Sequence, residues 1–315
     1  KGANRNRNNA NRLFDSQNND RGGYNVGSLY YYQGSKSVVE WTTQHSCGNA
    51  NNRCELILQY TCDDRLRDGT TETTIPTAAA NCDGNNCDTD PRYGRHESWQ
   101  YYTYCSKRQR NNGLFTADQL NEHKKDARYT RQNAGATRYG YECAEERDYY
   151  PYWGPSPWRD IAVLTNEPQR CAAYQAESQN VKGRYYCKVF DVFHKDVGLI
   201  PIDEQSCNAF VDKSHPDNIA NTAATPVMAQ WTYVPPFGLA PPECRQNRYV
   251  RDNHLGNTVG GQPASYNWTM PNDVHERCVF RIRYNITSYD YDGFESLRSI
   301  AAGPYTAAKN NKSYL

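Results

Sequence analysis

The side chains best suited to chemistry in this sequence are three histidines in polar segments. His45, His96 and His254 each lie close to Gly or Asn residues and near a predicted strand. Neutral imidazole binds zinc and copper, and metal ligands are often found on loops at the ends of strands. The three histidines are therefore candidates for a metal site, although we favour hydrogen-bonded structural histidines as the simpler interpretation.

No motif of a known catalytic class accompanies these histidines. The sequence holds no glycine-rich dinucleotide motif, P-loop or His-Glu-x-x-His. Gly154-Pro-Ser-Pro-Trp158 lacks the second glycine of a nucleophile elbow, so Ser156 is predicted to be a turn residue. Glu145-Glu146 and Asp203-Glu204 are adjacent carboxylates, whereas glycosidase pairs come from separate segments that face each other across a cleft. We predict both pairs to be solvated surface, and no catalytic residue is assigned.

A β-domain with histidine-bearing loops resembles the copper-dependent polysaccharide monooxygenases. Those enzymes bind copper through the histidine at the mature N-terminus, and here residue 1 is Lys1. This departure removes the central ligand of the copper site. We therefore expect no metal and no other cofactor, and we predict that the protein is not an enzyme.

The cysteine content indicates the compartment. Hydrophobic residues make up only 37% of the 315 residues and the mean hydropathy is −0.97, values that approach those of disordered chains. An even number of cysteines without any Cys-x-x-Cys pair favours disulfides over metal sites. Their spacing leaves the connectivity open. The cysteines predicted to form disulfides are Cys47, Cys54, Cys62, Cys82, Cys87, Cys105, Cys143, Cys171, Cys187, Cys207, Cys244 and Cys278.

The charge balance gives no sign of nucleic-acid binding. The formal net charge is +1, with 36 Lys and Arg against 35 Asp and Glu, so no global field attracts a polyanion. No segment approaches the roughly 18 consecutive apolar residues of a membrane span. With the cysteines, this predicts a secreted protein, extracellular or at the cell surface. The chain begins at Lys1, and we expect it to be a mature, processed form.

The segment from Cys278 to Thr287 carries the most regular pattern in the chain. Phe280, Ile282 and neighbouring apolar residues alternate with polar ones, which is typical of a strand with one apolar and one polar face. Cys278 falls in phase with the apolar face, where we expect it to tie the strand to a facing sheet. Arg281 is in phase with the polar face, which we expect to stay exposed.

Three sequons predict covalent N-glycans. The acceptor residues are Asn267, Asn285 and Asn311. A sequon by chance is common, but the first two lie on the predicted polar faces of strands in a cysteine-rich chain. A glycosylated face is a poor protein interface, so we expect contacts between protein molecules to lie elsewhere.

The distribution of predicted elements favours one large domain. Strands are predicted over residues 26–32, 37–43 and 55–62, which we expect to form a meander with 55–62 as the central strand. Further strands are predicted over 98–105, 161–164, 265–270 and 278–287, a helix over 171–181 and another over 114–123. Residues 195–247 are predicted to be irregular, and Cys187 to pair locally with Cys171. The fold class is therefore mainly β: a disulfide-stapled, Ig-like β-sandwich with long loop-rich insertions and a few short helices. Residues 24–315 form this domain, with an insertion at about 63–250.

Residues 1–23 differ from the rest of the chain. This Asn-rich segment holds only Leu13 and Phe14 as large apolar side chains, and it cannot order itself. It either packs back on its own domain or is captured by a neighbouring copy, with Leu13 and Phe14 as assembly anchors. The aromatic segment 148–158, with Trp153 and Trp158, either covers its own core, stacks on sugars or packs at an interface.

Several strings resemble a family of cysteine-rich secreted proteins from fungi, oomycetes, algae and amoebae. The resemblance covers roughly residues 24–290. It rests on the strings Gly27-Ser-Leu-Tyr-Tyr-Tyr32, Glu40-Trp-Thr42, Gly113-Leu-Phe-Thr-Ala-Asp118, Glu145-Glu-Arg-Asp-Tyr-Tyr-Pro-Tyr-Trp153, Arg251-Asp-Asn-His-Leu-Gly-Asn257 and Ser265-Tyr-Asn-Trp268. Some members resemble subunits of glycan-coated extracellular fibrils, in which extended segments insert between neighbours. The resemblance then implies sugars at Asn267 and Asn285 and a linking role for residues 1–23.

These observations lead to one favoured function and two alternatives. We expect a structural protomer of an extracellular, N-glycosylated filament. It assembles head-to-tail with copies of itself through residues 1–23, which we call the arm. A carbohydrate-binding protein of the cell wall or surface, with cell-wall polysaccharide as its partner, is the first alternative. A metal-dependent polysaccharide-active enzyme is the second.

Overall fold

The fold is mainly β and contains a few short helices. The computed structural model describes residues 30–42, 52–64, 66, 97–109, 143, 146, 150–152, 154–246, 256–258, 260–272 and 274–288. The strands are β1 (Lys36–Trp41), β2 (Asn52–Cys62), β3 (Arg159–Thr165), β4 (Arg184–Lys188), β5 (Gln230–Val234), β6 (Glu243–Gln246), β7 (Ala264–Thr269) and β8 (Cys278–Ser288). The helices are α1 (Trp99–Lys107), a 3-10 turn (Pro168–Arg170), α2 (Cys171–Glu177), α3 (Glu204–Asn208) and α4 (Pro216–Ile219).

A four-stranded sheet in the order β6-β3-β2-β8 forms the centre of the described structure. β2 lies inside it and pairs antiparallel with both neighbours, β3 and β8. Leu56, Ile57 and Leu58 are fully buried, because consecutive side chains of a strand point to opposite faces and both faces of β2 are covered. The prediction that this strand is central is confirmed.

One face of the central sheet packs against the two-stranded sheet of β1 and β7. Apolar side chains from both sheets form this core: Leu56, Leu58, Ala162, Leu164 and Tyr266, with Trp41, Ile161, Trp268, Phe280, Ile282 and Tyr284 packed against them. The predicted apolar phase of β8 is therefore its core face. The Ig-like arrangement itself stays a prediction, and β3 and β6, both from the stretch 63–250, belong to the central sheet.

The opposite face of the central sheet is covered by the segment 150–158 and by α2. Ile57 and Val163 on the sheet contact Tyr150 and Tyr174 on this covering layer. A third sheet, formed by β4 and β5, packs on a separate core cluster around Cys187, Ile200 and Cys207.

Residues 98–105 form a helix, so the prediction of a strand here was wrong. Ser98 caps α1, and its side chain accepts a hydrogen bond from the backbone N–H of Tyr101. The i, i+4 spacing of Tyr101 and Cys105 places both side chains on one helix face. From there Tyr101 bonds Glu146 and Cys105 forms a disulfide with Cys143. These long-range contacts outweigh the β-propensity of the Tyr-rich sequence.

Two further element predictions need correction. The first strands do not form a meander, because β1 pairs with β7 and β2 pairs with β3 and β8. Residues 195–247 are not irregular throughout, since they hold α3, α4, β5 and β6. The predicted helix at 171–181 is confirmed as the shorter α2, and the strands predicted at 161–164, 265–270 and 278–287 are confirmed.

Nine cysteines lie among the described residues, and all nine are disulfide-bonded. The pairs with both partners described are Cys62–Cys278, Cys105–Cys143, Cys171–Cys244 and Cys187–Cys207. Cys278 therefore joins a neighbouring strand of the same sheet, not a facing sheet, because it lies directly opposite Cys62 in the β2–β8 register. Cys171 and Cys187 do not pair with each other, which corrects the expected local bond.

The Cys62–Cys278 disulfide joins cysteines 216 residues apart. Replacing both with Ala is expected to lower the free energy of unfolding by about 4 kcal/mol, because the unfolded chain regains the entropy of a long open loop. Urea denaturation of the variant against the unaltered protein measures this loss. A loss below about 1 kcal/mol would show that the β2–β8 ladder does not depend on the disulfide.

Candidate functional site

The polar face of β8 is largely covered, which corrects the expectation that it stays exposed. Arg281 retains only 15% side-chain exposure. Its guanidinium lies over the ring of Trp158 at 3.6 Å from the centroid and donates to Gln59 Oε1 at 2.8 Å. Trp158 is itself 2% exposed, so the suggestion that it offers a surface for stacking sugars was wrong.

Glu146 neutralises the buried Arg281. Arg281 Nη2 lies 2.8 Å from Glu146 Oε2, and the other carboxylate oxygen accepts from Tyr101 at 2.6 Å and from the Ser156 hydroxyl at 2.7 Å. A carboxylate that is 1% exposed keeps its charge only with such partners. Glu146 is thus buried rather than solvated, and the surface prediction for this residue was wrong.

Tyr152 connects this ion pair to the middle of the sheet. Its hydroxyl donates to Gln59 Oε1 at 3.0 Å and accepts from Arg281 at 2.9 Å and from Arg283. The amide of Gln59 then donates to Asp160 Oδ1 at 2.6 Å. The hydrogen bonds therefore run without a break across β8, β2 and β3.

The far end of this cluster is held by the turn 178–180. Ser178 donates to Asp160 Oδ2 at 2.6 Å, and Asn180 exchanges hydrogen bonds with the backbone of Asp160 at 3.1 and 2.8 Å. Burial raises the pKa of Asp160, while the hydrogen bonds from Ser178 and Gln59 oppose that shift. We name Glu146, Arg281, Gln59, Tyr152, Asp160, Ser156 and Ser178 the buried polar cluster.

The chemistry of the buried polar cluster is that of a structural support. Ser156 and Glu146 form a hydroxyl–carboxylate pair, yet Ser156 is 5% exposed and its oxygen also accepts from the backbone N–H of Trp158. A nucleophile must reach its substrate, and this hydroxyl is covered by the protein. The cluster instead links α1, the described residues Glu146, Tyr152 and Ser156, the turn 178–180 and the central sheet.

Removing the charge of Arg281 tests this support. Arg281→Met is expected to lower the free energy of unfolding by about 3–5 kcal/mol, because Glu146 is left buried without its cation. Adding Glu146→Gln to that variant is expected to restore part of the loss. Lys182→Met is the control, since its ion pair with Glu177 is exposed and is worth less than about 1 kcal/mol. If Arg281→Met and Lys182→Met lose the same free energy of unfolding in urea denaturation, the buried polar cluster is not a structural support.

A second buried carboxyl, Glu55, lies further along the same face of β2. It is 2% exposed, and Tyr174 of α2 donates to its Oε1 at 2.8 Å. Burial raises the pKa of Glu55 to about 7, and the Tyr174 hydrogen bond and the charge of Arg170 limit that rise. Asn285, an acceptor of a predicted glycan, is half-buried directly opposite Glu55 in the register.

The raised pKa of Glu55 makes stability depend on pH. The folded chain holds a proton between about pH 4.5 and pH 7 that the unfolded chain releases, so stability falls as pH rises through this window and levels off above it. Glu55 is expected to contribute about 1–3 kcal/mol to the change between pH 5 and pH 8. Glu55→Gln should remove that contribution, measured as the difference between the two proteins in denaturation curves at each pH. If the free energy of unfolding of the unaltered protein and of Glu55→Gln changes with pH in the same way, Glu55 does not make this contribution.

The edge of the β1–β7 sheet is the second candidate site. Among the described residues, no third strand pairs with either β1 or β7. Large apolar side chains are exposed beside it: Tyr30 is 87% exposed, Tyr32 89% and Val38 62%. An uncovered edge with exposed apolar groups is a template for another strand.

Backbone geometry shows which groups of β1 face outward. The N–H of Met270 donates to the carbonyl of Ser35 at 2.8 Å, and hydrogen-bonded pairs alternate with non-bonded pairs along an antiparallel ladder. Counting from Ser35, Val38 occupies a non-bonded position opposite Asn267. The backbone N–H and C=O of Val38 therefore point away from β7, toward the open edge.

The remaining predicted site residues are placed as follows. Asn267 is exposed on the outer face of the β1–β7 sheet. Several others lie outside the described residues, among them Leu13, Phe14, His45, Cys47, Cys82, Cys87, His96, Trp153, His254 and Asn311. Within the described ranges, no group of three or more His, Cys, Asp or Glu side chains could hold a metal ion, and no helix could span a membrane.

Sequence reasoning missed the buried polar cluster entirely. Glu146 and Arg281 are 135 residues apart, and no local pattern links such distant positions. One signal was available: Gln59 and Glu55 stand in an otherwise apolar strand that was predicted to be central. Polar side chains in a doubly covered strand require buried partners.

The described residues thus define a disulfide-rich, mainly β protein with a buried polar cluster and an open sheet edge. The chain belongs to the family of the DD3-3 N-terminal domain, which it matches over residues 1–312. No curated protein and no solved structure was found to be similar to it. The family match includes residues 1–23.

Proposed function

We propose that the protein is a structural protomer of an extracellular, N-glycosylated filament. The observation that carries this proposal is the uncovered edge of β1, where the backbone of Val38 and the exposed side chains of Tyr30 and Tyr32 face outward. The arm of a second copy, residues 1–23, pairs with this edge, and Leu13 and Phe14 contact the exposed apolar groups. Head-to-tail contacts that do not close produce a filament.

The position of the arm supports this choice of edge over the other open edges. Residues 1–23 precede Tyr30 and β1 by only a few residues, so the proposed arm and the receiving edge are neighbours along the chain. Strand pairing forms in the plane of the sheet, whereas side chains leave the plane. A glycan on Asn267 projects from the outer face and leaves the edge of β1 accessible.

The disulfides and the buried polar cluster support a structural role in an oxidising compartment. Nine described cysteines are disulfide-bonded, and such bonds persist in secreted proteins. The carboxylates that could act as acids or bases, Glu146, Asp160 and Glu55, are hydrogen-bonded and buried. Their arrangement makes each protomer resistant to unfolding, as an extracellular fibre requires.

A proline at position 38 tests the edge. Val38→Pro removes the outward N–H but none of the β1–β7 ladder bonds, because Val38 occupies a non-bonded position. The variant is expected to remain folded, with an unchanged circular dichroism spectrum, and to lose filaments in negative-stain microscopy. Val38→Thr keeps the N–H and is the matched control, which should form filaments. Normal filaments from folded Val38→Pro would exclude the β1 edge.

Deleting residues 1–23 tests the arm separately. The truncated protein is expected to be folded and monomeric by analytical ultracentrifugation, because it keeps the strands β1 to β8 and loses only the proposed contact between copies. Mixing it with the full chain should shorten filaments, because each truncated copy can receive an arm but cannot offer one. Filaments of normal length from the truncated protein alone would rule out the arm.

A further inference from the structure

An exposed row of aromatic side chains lies on one face of the β4–β5 sheet. Tyr185 and Tyr233 stand directly opposite each other in the register, and Trp231 is opposite Cys187, two residues along the same face. The Tyr185 ring centroid is 5.0 Å from that of Tyr233 and 6.0 Å from that of Trp231. The row therefore runs Tyr233–Tyr185–Trp231, and we call it the aromatic row.

The aromatic row is accessible, and its underside is fixed. Tyr185 and Tyr233 are each 50% exposed, while Trp231 packs partly against the core cluster around Cys187. The Cys187–Cys207 disulfide ties β4 to α3. Rings on a rigid base lose little freedom when a ligand binds, so more of the contact energy appears as affinity.

Gly183 makes room for the Tyr233 ring at one end of the aromatic row. A Cβ at Gly183 would lie 2.2 Å from the Tyr233 hydroxyl, so the ring of Tyr233 occupies the space that any other residue would fill. Gly183 lies immediately before β4 and two residues before Tyr185. The absence of a side chain at this position thus lets Tyr233 extend the aromatic row.

We propose that the aromatic row binds a single chain of a neutral, pyranose-containing polysaccharide. One face of many pyranose rings presents only C–H groups, which pack against aromatic faces, while the hydroxyls point outward to polar groups. The Tyr185 ring stacks on that of Trp231 at 8°, and the half-exposed rings of Tyr185 and Tyr233 provide the faces for such packing.

The polar surroundings favour a neutral sugar. Lys182 and Glu177 form an exposed ion pair, with Nζ to Oε distances of 2.6 and 2.8 Å, immediately before Gly183. Their charges cancel, so this end of the row attracts neither polyanions nor polycations, yet both groups can hydrogen-bond hydroxyls. A protein partner would be favoured by a larger apolar surface, whereas this row consists of three rings, two of which carry phenolic hydroxyls.

The shape of the aromatic row favours a single polysaccharide chain over the flat surface of a crystalline polysaccharide. The Tyr233 ring is inclined by 52° to that of Tyr185, so the three rings do not share one plane. A twisted oligosaccharide can follow this bend, but the face of a crystal cannot. The inference is independent of the filament, because it concerns a different sheet and needs no second copy.

Titration calorimetry of the full chain with soluble oligosaccharides tests the inference. The panel contains hexamers of β-1,4-glucose, β-1,3-glucose and β-1,4-N-acetylglucosamine, with a polygalacturonate oligomer as the charged comparison. At least one neutral hexamer is expected to bind, and Tyr185→Ala and Tyr233→Ala are each expected to weaken that binding by tenfold or more. Both tyrosines are half-exposed, so their removal leaves the core intact, as unchanged circular dichroism spectra should confirm.

Two matched variants separate stacking from other effects. Tyr185→Phe keeps the ring and should retain binding within threefold, whereas Phe193→Ala removes a ring of similar exposure (42%) from outside the aromatic row and should leave sugar binding unchanged. Absence of binding by all neutral hexamers, or equal weakening by Phe193→Ala, would overturn the proposal. If Tyr185→Ala abolishes filaments while no sugar binds, the row is a contact between protomers and the proposal is wrong.

Discussion

The structure depends on one constraint: β2 is covered on both faces, yet it carries Glu55 and Gln59. Polar groups removed from water cost free energy unless they find partners. The layer over this face of the sheet must therefore supply hydrogen bonds as well as apolar contacts. Arg281, Tyr152 and Asp160 supply them around Gln59, and Tyr174 does so at Glu55. The path of the chain over the sheet follows from these requirements.

The sequence predicted elements well where the information was local. The alternation in residues 278–287 and the apolar run Leu56–Leu58 define β8 and β2, because side-chain direction in a strand has period 2. The strand order was not predictable, since the partners of β1 and β2 lie far along the chain. At residues 98–105, a capping serine and a distant disulfide partner prevailed over aromatic β-propensity.

The candidate site was predictable only in part. The alternation correctly separated Arg281 from the apolar face, but exposure depends on what covers that face, and Tyr152 lies 129 residues away. Trp158 illustrates the same limit: an aromatic residue in a Pro-rich loop can face a sugar or a guanidinium. The aromatic row could not be predicted from the sequence for another reason. Tyr185 and Trp231 come together only through the register of β4 and β5, which are distant along the chain.

The pairing of β2 with β8 has a consequence for the order in which the protein folds. An eleven-residue strand near the start of the chain aligns with one near its end, so the central sheet has high contact order. During synthesis, β2 is made long before β8 and waits with its apolar residues uncovered. Such exposed strands invite misassociation in folding intermediates. We therefore expect the protein to fold slowly, and β2 to need protection by a chaperone until β8 has been made and can pair with it.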